Sequence, residues 1–151
     1  MEITLKNLRV AQNLSEETLA FTATIYVMGR KAGNVSNRGN GGPCIFAFKD
    51  RALGQRVEEW AAALPAVPAD VAGEYGPIPM DLDLYVHGLA CRMNRERILR
   101  RLCRTRTVGR MADDPPGEIR EWDAPYTPFF AAKLRAHFGP QLAEIINERF
   151  I

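Results

Sequence analysis

A chain of 151 residues is the size of one ordinary domain and buries enough surface to fold without disulfide or metal staples. Hydrophobic residues make up 46% and charged residues 25%, a globular composition, and no apolar run approaches the length of about 18 residues that marks a membrane span. The net charge of +2 is too small to announce a nucleic-acid partner by itself, and with Glu2, Lys6 and Arg9 and no apolar run near the N-terminus no secretory signal is expected.

Residues 2–14 read as an imperfect strand. Ile3 and Leu5 lie on one parity and Leu8 and Val10 on the other, so a bulge near Asn7-Leu8 is expected to switch the faces. Ser15-Glu16-Glu17-Thr18 is a polar turn. Residues 19–28 alternate cleanly, with Leu19, Phe21, Ala23, Ile25 and Val27 on one face and Ala20, Thr22, Thr24 and Tyr26 on the other. Gly29-Arg30-Lys31 is the expected hairpin turn, and residues 32–37 return as a strand. The loop from Asn37 to Pro43 holds three glycines and two asparagines, residues that accept positive φ at low cost. A fourth strand is expected over residues 44–48. Asp50 then caps a helix over 51–64 that presents Leu53, Val57, Trp60 and Leu64 on one face.

Four prolines and two glycines make residues 65–80 a connector. Asp81 caps a second, longer helix ending near Leu102 or Cys103, with Leu84, Cys91, Ile98 and Leu102 as its core stripe and Gly88 as a point of close backbone approach. Residues 105–111 and 118–122 form a second hairpin across Asp113-Asp114-Pro115-Pro116-Gly117. Thr127-Pro128 starts a helix that stops at Gly139, and Pro140 opens a last helix to about Arg149, amphipathic through Leu142, Ile145, Ile146 and Phe150. The fold class is therefore α+β in one domain over 1–151: a four-stranded antiparallel meander, two helices, a second hairpin and two C-terminal helices. Phe21, Ile25, Trp60 and Leu102 are its expected core.

The pattern Ser15-Glu16-Glu17-Thr18, Phe21-Thr22-Ala23, Tyr26-Val27, Val35-Ser36-Asn37 and Gly39-x-Gly41-Gly42, with Ala124-Pro125-Tyr126-Thr127-Pro128 in the tail, resembles a group of short accessory proteins of phages and other mobile elements. The resemblance covers about two-thirds of the chain and contains no catalytic motif. It implies a setting, the bacterial cytoplasm, and a role by association: inhibition of a host defence complex, anti-CRISPR activity included.

The chemistry-bearing residues are few. His87 and Cys91 share a helix face at i and i+4, but two ligands make no metal site, and neither a metal nor a cofactor is expected. The odd count of cysteines, Cys44, Cys91 and Cys103, points to reduced thiols; Cys103 is flanked by Arg100, Arg101 and Arg104, which would lower its pKa. Glu16 and Glu17 are adjacent in a turn and are expected to point apart into water. The glycine loop is followed by Pro43 and a strand, so it lacks the helix of a P-loop. It is either a backbone nest for an anion, with Arg38 and Asn40 beside it, or a structural loop whose glycines set its shape. Arg97, Arg100, Arg101 and Arg104 fall within about a third of a helical wheel and make a patch able to fork onto phosphates or carboxylates. No aromatic lies between Arg92 and Arg110, and the alternative is a solvated helix face.

The expected function is binding without catalysis, docking on a host protein or ribonucleoprotein through Arg97, Arg100, Arg101 and Arg104, or through Arg38 and Asn40, with no membrane involved. The alternatives are an enzyme acting on a phosphorylated or nucleotide substrate and a small nucleic-acid-binding module.

Overall fold

The inward alternation of Phe21, Ala23, Ile25 and Val27 builds the first sheet. In the computed structural model, which describes residues 1–151, the fold is α+β and the chain divides into two units, Met1–Met93 and Asn94–Ile151. The first holds β1 (Ile3–Val10), β2 (Phe21–Val27), β3 (Arg30–Asn37) and β4 (Ile45–Phe48), paired antiparallel in the order β1-β2-β3-β4. The register of β1 shifts between Lys6 and Arg9, and Asn7 takes φ 55°. This bulge turns Leu8 to the side of Ile3 and Leu5, all three of them buried, as the change of parity requires. The β2–β3 turn comes earlier than expected, at Met28-Gly29. Both residues have positive φ (50° and 78°), the pair of angles that matches a two-residue turn to strand twist.

Two helices supply the rest of the first core. In α1 (Arg51–Ala62) the Asp50 carboxylate accepts from the Ala52 amide at 2.9 Å, as its capping position implies. The connector contains the one-turn α2 (Ala69–Ala72) and is closed by paired hydrogen bonds between Val67 and Ile78. Asp81 caps α3 (Leu82–Leu102), its carboxylate accepting from the Leu84 amide at 2.7 Å. Ile25, Val35, Val57, Ala61, Val86 and Ala90 are the most deeply buried residues of this core. Trp60 is only half-buried, packed edge-on to Tyr85 with 5.2 Å between ring centroids. The close approach expected at Gly88 occurs instead at Gly54, where a Cβ would lie 2.8 Å from the Phe48 ring.

The expected stripe of α3 is corrected. Its buried positions are Leu82, Val86, Ala90 and Leu99, whereas Leu84, Cys91 and Leu102 are half-buried and Ile98 is 47% exposed. Spacing by four from Leu82 through Ala90, continued by three and four, reaches Arg97 and Arg101, which are exposed. One uninterrupted stripe therefore does not describe this helix.

The second unit corrects the end of the chain. β5 (Thr107–Met111) pairs with β6 (Arg120–Trp122), the expected hairpin. α4 (Pro128–Phe138) begins as expected, with the Thr127 hydroxyl accepting from the Phe130 amide at 3.0 Å, and ends at Gly139 with φ 57°. The expected last helix is absent. Residues Leu142–Ile145 form β7, which pairs antiparallel with the free edge of β5, and Ile146–Phe150 is a short 3-10 turn. The order is β6-β5-β7. Pairing an otherwise open strand edge outweighs a short amphipathic period, since isolated helices of this length are marginal. Leu99, Val108 and Ile146 centre the core of this unit, with Leu102 and Phe150 packed against them. No helix is long and apolar enough to cross a membrane.

Candidate functional site: an arginine face with an aromatic cleft

All four arginines of the predicted patch are exposed. Arg97, Arg100 and Arg101 lie within α3, and Arg104 follows in the turn beyond it. Arg100 is held in place: its guanidinium forks onto the Glu96 carboxylate at 2.9 and 3.2 Å and lies over the Phe150 ring, 4.5 Å from the centroid. Neighbouring arginines are also engaged, Arg106 with Glu121 at 2.8 Å and Arg110 with Glu144 at 3.8 Å. Arg97, Arg101 and Arg104 take part in none of the chain's ion pairs.

The stretch from Arg92 to Arg110 contains no aromatic residue, but the fold brings two beside it. A cleft of about 370 Å³ is lined by Arg100, Cys103, Arg104, Tyr126, Asn147 and Phe150. Its volume is near the lower end of small-molecule sites, about 300–1,000 Å³. Asn147, 4% exposed, forms its floor. Its Oδ1 accepts from the Val108 amide at 2.7 Å, and its Nδ2 donates to the carbonyls of Arg106 at 2.8 Å and Cys103 at 3.3 Å. One side chain thus ties β5 to the turn after α3. Asn147→Ala is expected to cost about 2–3 kcal/mol, because the fully buried Val108 amide loses its acceptor. Urea unfolding followed by tryptophan fluorescence and circular dichroism measures it; a loss under about 0.5 kcal/mol would mean that the amide finds another partner.

The Tyr126 hydroxyl donates to Glu148 at 3.1 Å, and Arg135 donates to the other carboxylate oxygen at 2.5 Å. Burial and the Glu148 carboxylate raise the Tyr126 pKa. Cys103 departs from its sequence expectation: burial pushes its thiol up, and Arg149 is the group that opposes this. The flanking Arg100, Arg101 and Arg104 are not among the groups that shift it.

Arg149 forks onto Glu144 and holds that carboxyl below the usual range, with Arg110 adding to the effect. A lowered folded pKa contributes stability that is present above the ordinary glutamate value, about 4.3, and is lost as the pH falls through the lowered one. Glu144→Gln is therefore expected to lower Tm at pH 7 and to match the parent protein at strongly acid pH. Its size is that of a half-exposed pair, under about 1 kcal/mol. Thermal scans across pH test this, and a Tm difference independent of pH would count against the ion pair.

Arg38 and Asn40 belong to the other unit, so they are not part of this cleft. Both are exposed, on the glycine loop. The loop is fastened from within by Asn37, which is buried. Its Oδ1 accepts from the Gly39 amide at 2.8 Å and the Thr18 hydroxyl at 3.0 Å, and its Nδ2 donates to the Gly42 carbonyl at 3.1 Å. The Gly41 amide donates to Thr18 Oγ1 and the Gly42 amide to Asn40 Oδ1, each at 3.3 Å. The Gly39 carbonyl accepts from the amides of Glu16, Glu17 and Thr18, and the Glu17 carboxylate occupies the space where a Gly41 Cβ would project. With these amides engaged and a carboxylate beside them, the glycines shape a clasp between two segments rather than an anion nest. Arg38 and Arg9 instead line a shallow groove of about 350 Å³ with Leu14 and Phe21.

The remaining reactive groups, Cys44 and His87, belong to the first unit. Burial, with Asp83 nearby, pushes the Cys44 thiol up to about 12. The His87 ring packs edge-on to Phe21 at 6.5 Å. No group of three or more His, Cys, Asp or Glu side chains is arranged to hold a metal ion. No family model, no curated protein and no solved structure matches the chain.

Proposed function

We propose that this is a non-catalytic binding protein that grips an acidic surface of a host protein or ribonucleoprotein through Arg97, Arg101 and Arg104. The observation that carries the reading is the exposure of these three guanidinium groups without any carboxylate partner. Arg97 and Arg101 stand at i and i+4, a spacing at which like charges destabilise a helix by a few tenths of a kcal/mol, so the arrangement is a cost to the free protein. An acidic partner turns that cost into attraction and steers the encounter. The resemblance to phage and mobile-element proteins supplies the setting, the bacterial cytoplasm. Inhibition of a host defence complex such as CRISPR-Cas is the role that joins this setting to a polyanion-gripping face.

Affinity capture by the tagged protein from a bacterial lysate, with and without nuclease and at rising salt, tests the proposal. A complex retained at moderate salt and released at high salt supports it. Recovery of the same partners by a protein whose Arg97 and Arg101 are changed to glutamate would overturn it.

A further inference from the structure

We infer that the partner segment held by this face is single-stranded nucleic acid, its phosphates on Arg97, Arg101 and Arg104 and one base seated in the cleft against Phe150 and Tyr126. The inference rests on the arginine-face reading and narrows it to one chemistry. Proteins that bind single strands without reading sequence join a cationic track to aromatic platforms on which bases stack. Both parts are present within one unit. Arg97 and Arg101 are about 6 Å apart along the helix axis at the helical rise, and Arg104 continues the track in the turn beyond, so the face can meet more than one phosphate. The cleft adjoins this track, because Arg100 and Arg104 line it together with the two aromatics.

The walls of the cleft favour a flat, apolar-faced guest. Phe150 already carries the Arg100 guanidinium on its ring, and Arg100 is fixed there by Glu96, so the site holds a planar cation and a ring in register before any ligand arrives. Pro125 and Tyr126 extend the apolar surface. The polar floor is already satisfied: Asn147 uses its oxygen on Val108 and its amide nitrogen on Arg106 and Cys103. A base seated over it is stacked rather than read by hydrogen bonds, so little sequence preference is expected. A duplex keeps its bases paired and stacked and cannot offer one to a cleft. An acidic peptide would satisfy the arginines but has no flat ring at each charged position to fill it.

Fluorescence anisotropy with the full chain and two labelled strands of equal length, oligothymidylate and an abasic deoxyribose-phosphate strand, tests this. The abasic strand should bind at least about fivefold more weakly, the lower bound for one stacked base. The log–log salt slope for oligothymidylate should be near −2, from about −0.7 for each of three phosphates. Phe150→Leu should narrow the gap between the strands. The comparison of strands uses the unaltered protein, so it stands even if that variant folds poorly. Equal affinity for both strands overturns the base-stacking inference; if Arg97→Glu with Arg101→Glu then weakens both equally, the arginine face itself stands. Binding of polyglutamate as tightly as oligothymidylate, or of neither strand, overturns the nucleic-acid assignment and returns the face to a protein partner. Undiminished binding by the reversed protein overturns the arginine-face reading as well.

Discussion

Changing Arg97 and Arg101 together to glutamate is expected to weaken partner binding by more than about a hundredfold while leaving thermal unfolding nearly unchanged. Each replacement removes an attraction and installs a repulsion, and like charges brought together across an interface cost several kcal/mol, where about 1.4 kcal/mol is a factor of ten. The fold should not suffer, because both side chains are exposed and neither belongs to an ion pair in the free protein. Glutamate is also a good helix former, close to arginine in propensity. Arg100 is left intact, so its stack on Phe150 and its fork onto Glu96 persist. Binding measured by titration, with circular dichroism and Tm as the fold control, separates the effects. Undiminished affinity in a folded double variant would reduce the face to solvated surface.

Replacing Phe21 by alanine is expected to cost about 3–5 kcal/mol, the usual loss on emptying a buried aromatic site. Phe21 is 3% exposed and opens β2, paired to Val10 of β1 on one side and Asn37 of β3 on the other. The cavity would therefore form where both neighbouring strands meet, beside the asparagine that fastens the glycine loop. Strands paired on both sides have little freedom to collapse into it. Against a typical total of about 5–15 kcal/mol, such a loss would leave the first unit marginal. Urea unfolding followed by tryptophan fluorescence and circular dichroism gives the number. A loss below about 1 kcal/mol would contradict the burial of Phe21 on the inner face of the sheet.

Local signals were legible where one residue or one short period decides the outcome. The alternation from Phe21 to Val27, the change of parity at Asn7-Leu8, and the caps Asp50, Asp81 and Thr127 all appear in the structure as the sequence implies. The α3 stripe failed because it was sought as one period over 21 residues, whereas the buried positions change after Ala90. Trp60 stops half-buried because its ring packs on Tyr85, itself only half-covered. The last helix failed because Leu142, Ile145 and Ile146 satisfy a helical spacing as easily as the end of a strand and the turn after it. The preference for strand comes from β5, more than thirty residues earlier in the chain.

By itself the sequence determined the α+β class, the four-stranded meander and the grouping of Arg97, Arg100, Arg101 and Arg104, because alternation, capping and helical spacing act within a few residues of one another. Only the tertiary structure decided what accompanies those charges. Phe150 and Tyr126 arrive from the tail to line the cleft beside Arg100 and Arg104, over Asn147. It also closed the glycine loop on itself through Asn37 and Thr18. These outcomes depend on hydrogen bonds and packing between residues distant in the chain, and such partners are chosen by the pairing of strand edges and the satisfaction of buried amides, which no local period records.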